Sequence, residues 1–300
     1  MTEKTLLIVA SLAYDGIDTL ENKVDNVLGG AGTYICLSIK HFQNNCSIIS
    51  VVGNDFKSQD LKLLESCGVD ISGIKIEQND KTFYWSCVYK DNFKERITTK
   101  TELNVMANFN PIIPDEKATP DILLLGNLHP KIQLSAINQI KNKPSAIILD
   151  TMNYWIENFW DTVKEVISKV DIISINDEES EMITGHKDMA EAAKVLHSMG
   201  PKFVIIKKGK NGAELFNYEK RHTTSAFEVD KVIDPTGAGD CFIGGISGFL
   251  TQSNEISFES IKSAINYGTS LASFNVEDMA TKNLLNLSID DIETRVNKLK

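Results

Sequence analysis

The sequence predicts an α/β fold: a mostly parallel central sheet with helices on both faces, and a small β-sheet lid beside it. Two observations carry this expectation. Short apolar runs recur along the chain, separated by longer segments of helical spacing, the pattern of β-α-β units. Two stretches, Tyr14 to Leu28 and Lys81 to Leu103, break that rhythm and read as strands outside the main sheet.

Taken in order, Leu6 to Ala10 reads as the first strand, Ala31 to Phe42 as a helix and Cys46 to Val52 as a strand. Lys57 to Cys67 is helical, with Leu61, Leu63 and Leu64 apolar among charges. Ile122 to Leu125, Ala146 to Leu149, Ile172 to Ile175 and Phe203 to Ile206 are further strand-like runs. In the first irregular stretch Glu21-Asn-Lys23 is a plausible turn; in the second, Asp91-Asn92 is one. Phe83, Trp85, Cys87 and Tyr89 share one face of an extended chain. These pieces read as antiparallel strands of a lid over a cleft. Its apolar face is expected to cover an acceptor site or to pair with the same face of a second subunit as a homodimer.

The chain has 300 residues, 42% hydrophobic and 24% charged, enough for a sizeable core, and a formal net charge of −10. An acidic surface repels phosphate backbones and anionic lipid, so no nucleic-acid or membrane partner is expected. Five cysteines in no C-x-x-C pair read as reduced thiols of a cytoplasmic protein. The start, Met1-Thr-Glu-Lys-Thr5, lacks the pattern of a secretory leader, and the apolar runs are too short to span a bilayer.

The segment with most chemical content is Asp234-Pro-Thr-Gly-Ala-Gly-Asp240. Pro and Gly exclude helix up to about Gly237, and Phe242, Ile243, Ile246, Phe249 and Leu250 then follow helical spacing. A Gly-rich turn feeding a helix N-terminus aims unpaired N–H groups and the positive end of the helix dipole at one spot, which makes an anion hole. Gly237, Ala238 and Gly239 form that turn, and Asp240 faces the same spot. Alone, Asp240 would be an ordinary helix cap; in this setting it reads as the general base for an attacking alcohol. The helix dipole is expected to make it a weak base by favouring its ionised form.

The seven-residue segment resembles the C-terminal signature of the ribokinase/PfkB family of sugar and nucleoside kinases. Gly29-Gly30 before a helix, Val51-Val52-Gly53-Asn-Asp55, Asn176-Asp-Glu-Glu179 and Lys207-Lys-Gly209-Lys-Asn-Gly212 are similar to further family motifs, so the resemblance spans nearly the whole chain. Asp150-Thr-Met-Asn-Tyr-Trp155 is similar to a bacterial subgroup of sugar and nucleoside kinases. The resemblance implies a ribokinase-like three-layer α/β/α domain over residues 1–300, with a lid from segments roughly 14–28 and 81–106. It implies ATP as co-substrate, Mg²⁺, and in many members a monovalent cation such as K⁺.

Carried over by position, the resemblance sets Asp15, Gly29, Gly30 and Tyr34 at the sugar or nucleoside acceptor. Lys207, Lys208, Gly209, Gly212 and Thr236 fall at ATP. Asn176 and Glu179 fall at Mg²⁺ through water, and Asp234 at the monovalent cation. Asn176 and Glu179 also spell a helix capping box, and both roles can hold at once. Tyr34 departs from the family, which has a sugar-binding Asn there; its ring could stack on a nucleoside base or simply enter the core. The Arg that often follows Asp150 to Asn153 in fructokinase-like members is missing.

Other nucleotide enzymes fit poorly. The turn after the first strand, Ser11-Leu-Ala-Tyr-Asp-Gly16, is no dinucleotide fingerprint, and Gly209-Lys210 lacks the rest of a P-loop. The expected activity is transfer of the γ-phosphoryl group of ATP to a hydroxymethyl group of a furanose-like acceptor. The rival from another class is a non-catalytic sugar or nucleotide sensor on the same fold.

Overall fold

The computed structural model describes residues 4–42, 45–93 and 95–300. Residues 1–3, on which part of the leader reading rests, and Lys94, inside the expected lid, lie outside the described residues. The strands are β1 (Leu6–Val9), β2 (Ala13–Asp18), β3 (Lys23–Gly29), β4 (Cys46–Gly53), β5 (Val69–Asp70), β6 (Ile74–Glu77) and β7 (Phe83–Lys90). They continue as β8 (Glu95–Glu102), β9 (Ile122–Leu125), β10 (Ala146–Asp150), β11 (Ile172–Asn176), β12 (Phe203–Lys207), β13 (Ala213–Phe216) and β14 (Arg221–Thr224).

The main sheet runs β14-β13-β12-β11-β10-β9-β1-β4-β5, with β6 also paired to β4. From β12 across to β4 all neighbours are parallel, as the buried apolar runs require. The antiparallel edge β13–β14 was not expected from sequence. Successive residues of each strand serve opposite faces. Leu6, Ile8, Ile122, Leu124 and Ile148 pack against the helices Ala31–Ile39, Ala238–Gln252 and Phe258–Asn275. Leu7, Val9, Leu123, Leu125 and Leu149 pack against Pro130–Gln139, Trp160–Ile167 and Met189–Met199. Two cores separated by one sheet give the expected three layers. Among the described residues no helix is long and apolar enough to cross a membrane.

The second sheet, β3-β2-β7-β8, is the lid. The chain enters it from the carboxyl ends of β1 and of β6, which lies parallel beside β4. At the β4 crossing, Gly53 lies so close to the backbone of Lys81 and Thr82 that a Cβ would overlap it. Asp55 Oδ1 accepts from Thr82 N at 2.8 Å and from Thr82 Oγ1 at 2.7 Å, which explains that motif as the lid's anchor. One expectation needs correction: β2 and β7 pair in parallel, so the lid is mixed rather than antiparallel. Cys87 and Tyr89 are buried with Ile17 against Met279 and Ala280, and Trp85 packs on the same cluster. Tyr89 Oη also meets Thr236 Oγ1 at 3.0 Å. The apolar lid face is therefore covered by its own chain, over the glycine-rich segment. That removes the physical need for a second lid against it.

If this contact holds the lid down, Tyr89→Ala should free it without unfolding the domain. Limited proteolysis should then cut within residues 83–102 faster than in the wild type, while the main thermal transition moves little. Unchanged cleavage would show that the lid is held elsewhere.

Candidate active site

The ends of β10, β11 and β12 deliver Asp150, Asn176 and Lys207 side by side, at the carboxyl edge where sheets of this kind bind ligands. Lys207 Nζ lies 2.9 Å from Asp150 Oδ1. Burial pulls the ammonium toward neutrality, but Asp150 and Glu179 more than offset this, with Asp240 adding to them, and hold it charged. Asp150 was not expected at the site. The signal was available, since it ends an apolar strand one place before the strand that ends in Asn176.

Glu179 and Asn176 form the expected capping box. Glu179 N donates to Asn176 Oδ1 at 2.7 Å, and Asn176 N to Glu179 Oε2 at 2.8 Å. Burial pushes the Glu179 carboxyl up to about 7, against the pull of Lys207. Among the described residues no group of three His, Cys, Asp or Glu is arranged to hold a metal directly.

The helix Ala238–Gln252 starts at Gly237, which sits at φ 78° in the left-handed region. Gly237 to Asp240 are partly exposed between the buried Asp234 and Cys241, so the turn opens on the cleft. Ala238 N already donates to Pro235 O at 3.2 Å. Among the described residues the N–H groups of Gly237, Gly239 and Asp240 have no backbone partner and are free for an anion, and Ala238 is corrected to a turn-closing residue. The bare face of Gly239 lies against Lys207, since a Cβ there would stand 3.5 Å from Nζ.

Asp240 Oδ1 is buried and has no hydrogen-bond partner among the described residues. A polar atom in that state costs about 1–3 kcal/mol unless a ligand satisfies it, which suits an incoming hydroxyl group. Burial, reinforced by the Asp150 charge, raises the Asp240 pKa well above the ordinary carboxylate range, with Lys207 opposing. The expected weak base is thus corrected: desolvation and a neighbouring carboxylate outweigh the helix dipole.

Asp15 is 3% exposed on β2. Its Oδ2 accepts from Gly30 N at 3.3 Å, and a Cβ at Gly29 would overlap its carboxyl group. Gly30 takes φ 80°, a conformation that favours glycine. Burial pushes Asp15 up to about 7, partly opposed by the Gly30 N–H and reinforced by Asp234. Tyr34 is 1% exposed, and its ring fills the space where a Gly237 side chain would stand. It offers no face for a base, so the stacking role expected as one alternative is not available to it. Its buried hydroxyl has no partner.

The remaining predicted residues divide. Lys208 turns away from Lys207 and pairs with Glu214 at 2.7 Å. Gly212 is required because a Cβ would strike Thr224 O of β14. Gly209 makes the turn at φ 53° with open space around it. Thr236 faces Tyr89 of the lid, and its carbonyl accepts from Asn275 Nδ2 at 2.7 Å. Asp234 is fully buried and accepts from Thr236 N at 2.9 Å and Ala280 N at 2.8 Å.

Comparisons with known proteins bear on the family and the fold. The family described as pfkB family carbohydrate kinase matches residues 5–287. A cytidine kinase of Thermococcus kodakarensis is 27% identical over 245 residues, which cover 80% of this chain and 86% of that protein. The nucleoside kinase of Burkholderia thailandensis in complex with inosine superposes with a TM-score of 0.78 at 16% identity, covering 98% of each chain. A candidate ribokinase II of E. coli, solved with ATP and Mg²⁺, gives 0.81 at 17% identity over 98% of this chain and 99% of the other.

The buried Asp15 yields a stability prediction. Its pKa is raised on folding, so its contribution is intact below the unfolded value near 4 and is lost as pH rises to about 7. Asp15→Asn keeps the shape without the charge. At pH 8 the ligand-free variant should be more stable than the wild type, by up to about 4 kcal/mol, and the two should converge near pH 4. Equal denaturation midpoints at pH 8 would show that Asp15 is ionised without penalty.

Proposed function

The chain belongs to the pfkB family of carbohydrate kinases, and on that footing we propose that it moves the γ-phosphoryl group of ATP to a hydroxymethyl group of a ribonucleoside. That it is an ATP-dependent sugar or nucleoside kinase follows from the family and its relatives. Nothing among those relatives favours the non-catalytic sensor. The observation that carries the reaction is the pairing of an open, cation-backed turn with an unpartnered base: three free N–H groups beside Lys207, and Asp240 Oδ1 with no partner.

In this reading the N–H groups of Gly237, Gly239 and Asp240 receive the charge of the phosphoryl group in transit. Asp240 accepts the proton of the attacking hydroxyl. Its raised pKa makes it a better proton acceptor than a surface carboxylate. Lys207, held by Asp150, supplies positive charge next to the turn. Asn176 and Glu179 would hold the waters of Mg²⁺, and Mg²⁺, when bound, neutralises the ATP phosphates. The lid, seated on Thr236, excludes water from the acceptor.

The preference for a nucleoside rests on the cytidine kinase, which aligns along most of both chains. Asp15 suits a ribose diol, because one oxygen is taken by Gly30 and the other has no partner.

Two experiments test this reading. Asp240→Asn should lower kcat by on the order of 10²–10⁴-fold while Mg-ATP still binds; near-normal turnover would remove Asp240 as the base. In competition, inosine, guanosine, adenosine and cytidine are set against ribose, fructose and 2-keto-3-deoxygluconate. A ribonucleoside should give the highest kcat/KM, and a free sugar ahead of all four would defeat the nucleoside assignment.

A further inference from the structure

The strand that delivers Asp15 also carries Tyr14, a buried side chain that the reaction itself leaves unused. Tyr14 is 3% exposed, and as the neighbour of Asp15 on β2 it leaves the strand on the opposite face. Its ring packs on Phe56, with centroids 5.4 Å apart, and the Lys57 ammonium stands 4.9 Å from its own centroid. Its hydroxyl donates to Asp60 Oδ2 at 2.7 Å and accepts from Lys57 N at 2.9 Å. Burial, reinforced by the bond to Asp60, raises the Tyr14 pKa, so the hydroxyl stays a donor.

These contacts complete a helix start. Lys57 is the cap residue of the helix Ser58–Ser66, with no side-chain cap bond of its own, and Asp60 is the third residue of that helix. In an ordinary capping box the third-residue side chain takes the cap N–H directly; here the Tyr14 hydroxyl is inserted between the two. The lid strand is thereby pinned to a helix end that uses its hydroxyl. Asp15 needs such a pin, because the ladder beside it is interrupted. The β2–β3 register slips straight after it, from Asp15 opposite Val27 to Ile17 opposite Val24, and a bulge of this kind re-aims the side chains next to it. Among the described residues its carboxyl group accepts one hydrogen bond, from Gly30 N at 3.3 Å. On its other side β2 pairs regularly with β7, and Thr82, just ahead of β7, is held by Asp55. Residues 55–57 therefore grip both strands, one through Thr82 and the other through Tyr14.

We propose that Tyr14 is a positioning residue: its hydroxyl, held between Lys57 N and Asp60, fixes β2 so that the Asp15 carboxyl group meets the acceptor. This rests on the acceptor role given to Asp15 in the kinase reading, and it holds for a sugar as for a nucleoside. Tyr14 acts through Asp15 alone, since its own side chain leaves the strand on the far face. Tyr14→Phe keeps the ring on Phe56 and removes only the two hydrogen bonds, so it separates the pin from the packing.

The kinetic test uses whichever acceptor the wild type phosphorylates. Tyr14→Phe should raise KM for that acceptor about tenfold, less than the ~10²-fold that a full 1 Å misplacement can cost, because the ring still restrains the strand. KM for Mg-ATP should stay as in the wild type, since none of the residues assigned to ATP lies on β2. Asp60→Ala should give a smaller rise, and adding it to Tyr14→Phe should cost nothing further, because the two share one interaction. A crystal structure of ligand-free Tyr14→Phe should show the Asp15 carboxyl group moved off Gly30 N. A lowered denaturation midpoint with both KM values unchanged is what a merely structural side chain would give, and it overturns the proposal. Asp15 found in its wild-type place in that crystal overturns it as well. A wild type that releases no ADP with any acceptor defeats the kinase reading instead, and the position of Asp15 in the crystal still decides whether Tyr14 places it.

Discussion

Lys207 ends β12 with its ammonium against Asp150 and with Glu179 and Asp240 adding to the field that keeps it charged, so the ends of two strands and the starts of two helices meet at one cation. Burial and the Asp150 charge make it costly for the neighbouring Glu179 and Asp240 to ionise. Such a site is poorly set to receive a nucleotide triphosphate unaided, and an accompanying divalent cation relieves the same imbalance that the burial of Glu179 and Asp240 creates. The pair is also a structural constraint. Removing one partner of a buried ion pair typically costs about 3–5 kcal/mol, because the other is left uncompensated.

Gly237 and Tyr34 make a second constraint. The positive φ of Gly237 lets the turn expose its N–H groups, and the Tyr34 ring occupies the volume a side chain there would need. Tyr34 lies on the helix that follows Gly29-Gly30, so the acceptor-side motif and the anion-hole turn are packed directly on each other.

Much of this was legible in the sequence. The apolar runs at 6–10, 122–125, 146–149, 172–175 and 203–206 are the core strands, because a strand buried on both faces needs no polar alternation to show itself. Residues 213–224 were missed, since an edge hairpin mixes Glu, Arg and Thr with its apolar residues. Sequence could not separate Lys207 from Lys208; only the opposite directions of neighbouring side chains at a strand end set one in the site and the other on Glu214. The ionisation of Asp240 was misjudged because the local rule, a dipole at a helix start, was legible while the burial and the Asp150 charge came from elsewhere in the chain.

The parallel pairing of β2 with β7 runs from Ala13 opposite Phe83 to Asp18 opposite Val88. Its partners are some seventy positions apart, and no tight turn can join them; β1, β4 and the anchor at Asp55 must come together first. Contacts of long sequence separation form slowly, since their loop-closure entropy must be met before they stabilise anything. All four lid strands nevertheless lie within residues 13–102, so they are made before β9 to β14 of the central sheet. The surface the lid covers, Thr236 with Met279 and Ala280, is made only after every strand of the central sheet, so the lid waits for its seat and not for its own strands.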